Sequence, residues 1–141
     1  CTQAQVVNAY DNSIVQTDQF LDSVLNWLSD QSDKAQTAMI YVADHGESLG
    51  ENNIYLHGLP YSIAPDVQKH VPWITWLSPA MQARTHVTTG CLQQDVAQRR
   101  VTHDNYFHSV LGLMDVQTGA YSPALDMFAG CRQQPNGPLA G

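Results

Sequence analysis

Thr37-Ala38-Met39-Ile40-Tyr41-Val42-Ala43-Asp44-His45-Gly46-Glu47-Ser48-Leu49-Gly50-Glu51 is the stretch on which the fold turns. Residues 37–43 are a short apolar run rich in β-formers and bounded by polar residues, the pattern of a strand buried on both faces. Charge and glycine follow at once, and in open α/β sheets ligands bind just beyond the carboxyl ends of strands. Upstream, Val7, Tyr10, Ile14, Leu21, Val24, Leu25 and Leu28 recur at three- and four-residue steps, which predicts an amphipathic helix over residues 5–30. A long helix feeding a buried strand is half of a βαβ unit, so the expected fold class is α/β with a parallel sheet. Downstream, residues 44–66 form a long irregular connection and residues 71–77 a second apolar strand, with Pro72 near its start. Residues 78–100 are polar, with little periodicity beyond short turns. Thr102 is the expected N-cap of a second helix that carries Phe107, Val110, Leu111 and Met114 on one face. Residues 119–141 read as mostly irregular, ending in a flexible C-terminal tail at 135–141.

The chain has 141 residues, 43% of them hydrophobic, enough for a core and for one domain by length. Its net charge of -7 argues against nucleic acid or an anionic membrane surface as the main partner. No apolar run approaches the ~18 residues of a membrane span. Eleven of the thirteen acids are Asp, and the two Glu residues, Glu47 and Glu51, share one Gly-rich segment. None of the three cysteines forms a C-x-x-C pair, which argues against a structural zinc knuckle. Cys91 in a polar loop and Cys131 near a Pro/Gly-rich end are poor places for core thiols. A Cys91–Cys131 disulfide in an oxidising compartment is favoured over two reduced, exposed thiols. Cys1 is then left over. A chain that begins with Cys1 is expected to be a processed product or a piece of something longer, with a partner for Cys1 upstream.

At a strand end, where the chain turns, the adjacent side chains of Asp44 and His45 can converge on one ion, and Gly46 permits the tight turn after them. Carboxylate oxygen and imidazole nitrogen are ordinary zinc ligands. Glu47 follows as a further acid, and His57 returns to the region in Tyr55-Leu56-His57-Gly58. An Asp-His pair alone reads first as an Asx-turn beside a surface His, and a metal site second. Both Glu residues, two His and three Gly within fifteen residues suit a cation site better than a solvated loop. Two protein ligands do not complete a catalytic zinc, which has three or more and an open position.

These segments resemble the lipid A phosphoethanolamine transferases of the alkaline phosphatase/sulfatase superfamily, in the C-terminal part of their periplasmic catalytic domain. The resemblance is carried by Tyr10-Asp11-Asn12-Ser13-Ile14, by Tyr41 through Asn52, and by Tyr55-Leu56-His57-Gly58-Leu59-Pro60. It continues in Ile63-Ala64-Pro65-Asp66, in His103 through Leu113, and in Leu125 through Arg132. It implies a sulfatase-like sandwich with a largely parallel central sheet and helices on both faces, of which residues 1–134 are the C-terminal portion. It implies Zn2+ as cofactor, with Asp44 and His45 as two metal ligands. Glu47 and His57 are implied around the phosphoethanolamine substrate or an auxiliary zinc, Glu47 having the charge to pair with the ammonium. The implied activity moves phosphoethanolamine from phosphatidylethanolamine to a lipid A phosphate through a Thr-linked intermediate. No Thr here stands in the family's nucleophile context, so no catalytic residue is assigned in this chain. The Thr, a Glu ligand, a further His and a membrane-embedded N-terminal domain are expected upstream, as is the partner of Cys1. The implied setting is the periplasmic face of the bacterial inner membrane, with the enzyme monomeric and connected to polymyxin resistance, and the isolated chain is expected to be inactive.

Two alternatives remain at this level: a sulfatase-like hydrolase or a transferase acting on another glycan, and an inactive, truncated metal-binding piece. His103, His108 and Asp104 are expected in capping and packing, and His70 and His86 in structural or solvated positions. Trp27, Trp73 and Trp76 are expected in core or sheet packing. Ser48 lies in no nucleophile elbow, since G-x-S-x-G is absent.

Overall fold

The computed structural model describes residues 1–98 and 100–132; the expected tail at 135–141 lies outside them. The chain divides into two compact units, Cys1–Ser78 and Pro79–Gly141.

The first unit opens with α1 (Gln3–Asp30). Thr2 closes its N-terminus by a capping box: its hydroxyl accepts from Gln5 N at 3.3 Å and its own N–H donates to Gln5 Oε1 at 2.9 Å. Leu21 is the one fully buried residue of α1, while Val7, Tyr10, Val24, Leu25 and Leu28 are half-buried. Ile14 of the expected stripe is exposed, and so is Trp27, at 62%, which places Trp27 outside the core of this unit.

Strand β1 (Ala38–Val42) pairs with β4 (Trp73–Leu77), in register from Ala38 opposite Leu77 to Val42 opposite Trp73. The pairing is antiparallel, which corrects the expected parallel relation for these two strands. No crossover helix of βαβ length joins them. The connection returns through the short pair β2 (Ser48–Leu49) and β3 (Tyr55–Leu56) and the single turn α2 (Asp66–Lys69), so β4 starts at the end of the ladder where β1 stops. Pro72 stands just before β4, where no donor is needed, and its carbonyl accepts from Ala43 N at 3.4 Å. At the other end Ser78 closes the ladder on Thr37, through Ser78 N to Thr37 O at 3.0 Å and Thr37 N to Ser78 Oγ at 3.2 Å. Met39 is buried and the rest of β1 half-buried, less covered than the apolar run predicts.

The second unit holds α3 (Pro79–Thr85), α4 (Thr89–Val96), α5 (Asp104–Leu113) and α6 (Ala129–Arg132). Thr88 caps α4 by accepting from Cys91 N at 3.2 Å, so Cys91 lies in the first turn of a helix and not in a loop. Cys91 and Cys131 form a disulfide with Cα atoms 5.8 Å apart, joining α4 to α6. Met81, Val87, Leu113, Met127, Phe128 and Ala129 make the core beside it.

Helix α5 turns inward a different face from the apolar one. Phe107 and Met114 are exposed, whereas Asn105, Ser109, Gly112 and Leu113 are buried. The inward side binds main chain: Asn105 Nδ2 donates to Leu125 O at 2.8 Å, and Met127 N donates to Ser109 Oγ at 3.0 Å. Gly112 faces the fully buried Asp126, and a Cβ there would lie 2.0 Å from its Oδ2. Asp126 accepts from Tyr121 Oη at 2.6 Å, from Phe128 N at 2.7 Å and from the Arg132 guanidinium. The charge is therefore hydrogen-bonded on both oxygens, as burial requires.

The disulfide closes a loop of 40 residues. Chain entropy alone gives such a link about 4 kcal/mol against the unfolded state. Replacing Cys91 and Cys131 together by Ser is expected to lower unfolding free energy by about 2–4 kcal/mol in denaturant titrations. Equal midpoints with and without the bond would contradict that role.

Candidate metal centre

The site is built where β1 ends. Asp44 Oδ1 accepts from His45 N at 3.0 Å, an Asx-type contact that turns the chain out of the strand. Gly46 then passes directly against the main chain of α2. Its N–H donates to Gln68 O at 3.0 Å, and a Cβ at this position would sit 1.9 Å from Val67 O. Only glycine allows this approach.

The hairpin β2–β3 brings the next two residues together. Ser48 is opposite Leu56, so Glu47 before β2 meets His57 after β3. The hairpin reverses through Gly50, at φ 116°, and a 3-10 turn over Glu51–Asn53. Glu51 Oε2 accepts from Leu49 N at 2.8 Å, so this second Glu shapes the turn and does not join the cluster. Leu56 lies at φ 66°, the left-handed region that a branched side chain enters at a cost of about 1–2 kcal/mol.

His45, Glu47 and His57 each offer a ligand atom, and the three atoms lie within 4.8 Å of one another. The two imidazole rings stack with centroids 3.6 Å apart. His45 Nδ1 is 2.9 Å from Gly46 O; a carbonyl only accepts, so the proton is on Nδ1 and the Nε2 lone pair is free. By the same logic His57 Nδ1–H donates to Glu47 Oε2 at 3.1 Å and leaves its own Nε2 free. Glu47 Oε1 is buried and has no hydrogen-bond partner. Asp44 stands apart from this trio. Its side chain is 91% exposed, with Oδ2 3.7 Å from His45 Nε2. Two ligands of one tetrahedral ion stand about 3.4 Å apart, so these two atoms can share an ion after a small side-chain adjustment.

The donor set therefore suits a divalent cation of the zinc type. It offers the His45 Nε2 lone pair beside the exposed Asp44 carboxylate, and next to them Glu47, whose orphaned buried Oε1 a cationic group would satisfy. His108 is structural, its Nδ1 accepting from Ser122 N at 3.0 Å. Sequence reasoning missed Ser48, buried in β2 of the hairpin, and Gln68, buried against it. No spacing signal marks them, since twenty residues separate the pair.

Similarity to known proteins extends over this whole arrangement. The family model described as Sulfatase matches residues 1–116. "Phosphoethanolamine transferase EptA" of Salmonella typhimurium is 48% identical over 133 residues, covering 94% of this chain and 24% of the relative. Among solved structures, the soluble domain of lipooligosaccharide phosphoethanolamine transferase A from Neisseria meningitidis superposes with TM-score 0.89 at 44% identity, over 95% of this chain and 40% of that one. The structure titled as the integral membrane protein from the same organism gives TM-score 0.88 at 44% identity, over 95% of this chain and 25% of that one. The chain thus spans about a quarter of the length of the curated relatives it matches. With its α/β elements and the cluster beyond β1 in place, the chain belongs to the sulfatase family, on the branch that holds the lipid A phosphoethanolamine transferases.

Proposed function

We propose that residues 1–134 are the C-terminal portion of a sulfatase-like catalytic domain. The protein containing them is a zinc-dependent transferase that moves phosphoethanolamine from phosphatidylethanolamine to a lipid A phosphate. The observation that carries this reading is the site beyond β1, where His45 keeps Nε2 free 3.7 Å from the Asp44 carboxylate and beside the Glu47–His57 pair. The likeness to named phosphoethanolamine transferases supports it. The proposal includes a Thr nucleophile outside these 141 residues, which leaves the isolated chain inactive. It also includes a membrane domain that holds the enzyme, as a monomer, at the periplasmic face of the inner membrane. Masking of lipid A phosphate charge would then reduce binding of cationic polymyxins.

Zinc, when bound, supplies Lewis acidity toward phosphoryl oxygens and a Thr hydroxyl. The residues of this chain have separate tasks. Asp44 and His45 would hold the ion, and the Gly46 carbonyl keeps the His45 proton on Nδ1, leaving the Nε2 lone pair available as a ligand. The carboxylate of Glu47 pairs with the ammonium of the ethanolamine group. His57, oriented through its Nδ1–H bond to Glu47, presents the Nε2 lone pair to the substrate, where it can accept a proton.

In the complete polypeptide, Asp44→Ala and His45→Ala are each expected to reduce transfer more than about a hundredfold with loss of zinc. Phosphoethanolamine transfer is measured beside zinc content by mass spectrometry; near-normal transfer with normal zinc in either variant would sink the assignment. Glu47→Gln removes the charge and keeps the shape. It is expected to raise KM for the phosphatidylethanolamine donor about tenfold, equivalent to ~1.4 kcal/mol, with zinc retained. An unchanged KM would remove Glu47 from the ammonium site.

A further inference from the structure

Gln68 is 94% buried, and it touches both ends of the segment that carries the candidate centre. Its main-chain O accepts from Gly46 N at 3.0 Å, fixing the link between His45 and Glu47. Its side-chain Nε2 donates to Ser48 Oγ at 2.8 Å and to Leu56 O at 3.1 Å. Ser48 follows Glu47 directly, and Leu56 directly precedes His57. One neutral amide therefore ties the two strands at the pair nearest the site, while its own main chain holds the turn between the other two residues.

The Leu56 bond has a particular consequence. Leu56 is 68% exposed and in the left-handed region, so its side chain gains little from packing there. The Gln68 amide adds a donor to the carbonyl of Leu56, the residue paired with Ser48 across the hairpin, and the peptide so held is the one that leads into His57. Loss of that donor removes part of what holds Leu56 at positive φ, and with it part of what fixes the residue that follows.

We propose that Gln68 is a positioning residue for the His45–Glu47–His57 cluster, acting through Gly46 N, Ser48 Oγ and Leu56 O. It touches no substrate; it sets where the imidazoles and the Glu47 carboxylate stand. The zinc readout below rests on the function proposed above, whereas the imidazole readout does not.

The test uses the complete polypeptide with 15N-labelled histidine, first metal-free and then titrated with zinc alone. Gln68→Met keeps volume and main chain but cannot donate. In the parent protein His57 is expected to show a single Nδ1–H tautomer with a protected ring proton. Gln68→Met is expected to lose that protection and mix the tautomers of His57. His108, whose Nδ1 accepts from Ser122 N, serves as the reference for an intact fold and is expected to keep its Nε2–H form. With zinc, the dissociation constant is expected to rise about 10–100-fold. An unchanged His57 spectrum in folded Gln68→Met overturns the proposal. Should the His108 signature vanish because the variant does not fold, Ser48→Ala decides, since it removes one of the two acceptors. A shift of His57 in the same direction supports the proposal, and none overturns it. If the parent binds no zinc while Gln68→Met still disturbs His57, the functional reading fails and the positioning role stands.

Discussion

The close passage of Gly46 against the main chain of Val67 and Gln68 is the contact on which the first unit depends. A methyl group at Gly46 would lie 1.9 Å from Val67 O, so the two segments cross only because one lacks a side chain. The crossing brings α2 back to the end of β1 and seats Gln68 under the hairpin. From the same region β4 sets out in the direction that makes its pairing with β1 antiparallel. Chemistry at the strand end and topology of the strands are thus set by one steric condition.

The second unit has a different anchor. Its centre is the buried carboxylate of Asp126, satisfied by Tyr121, Phe128 N and Arg132. A buried charge with all its partners in place tolerates few alternative arrangements. This accounts for the small, polar inward face of α5, where Gly112 leaves room for the charge and Asn105 and Ser109 bind the strap over residues 125–127. The disulfide then joins α4 to the helix that carries Arg132.

How much of this was legible in the sequence depends on what each residue does. Helix α1 and strands β1 and β4 follow apolar patterns, and their positions agree with the expected ones within a few residues. Helices α3 and α4 do not follow such patterns: α3 is polar apart from a few buried residues such as Met81, and α4 has no buried residue. The face of α5 misleads in the opposite way: Phe107 and Met114 of its apolar side are exposed, Val110 and Leu111 only half-buried, and its hydrogen-bonding side is inside. At the site, the Asp-His-Gly-Glu segment and the later His stand out because both Glu residues of the chain and two of its six His fall within fifteen residues there. Gln68 does not, since it is one of fourteen Gln residues and its burial shows only in the folded chain. The orientation of β4 was hidden for a related reason, as apolar runs carry no sign of direction.

The Cys91–Cys131 link carries a consequence for biosynthesis. Cys1 is a third, exposed thiol in the same chain, so three different single bridges are conceivable. Cys1 and Cys91 leave the ribosome before Cys131 does, and an early oxidant meets them first. Any bond made between them must be exchanged before α4 can be joined to α6, by attack of a thiolate on the misplaced disulfide. Correct maturation therefore depends on the timing of oxidation relative to synthesis, and a thiol–disulfide isomerase acting on this chain would govern its yield without changing its native stability.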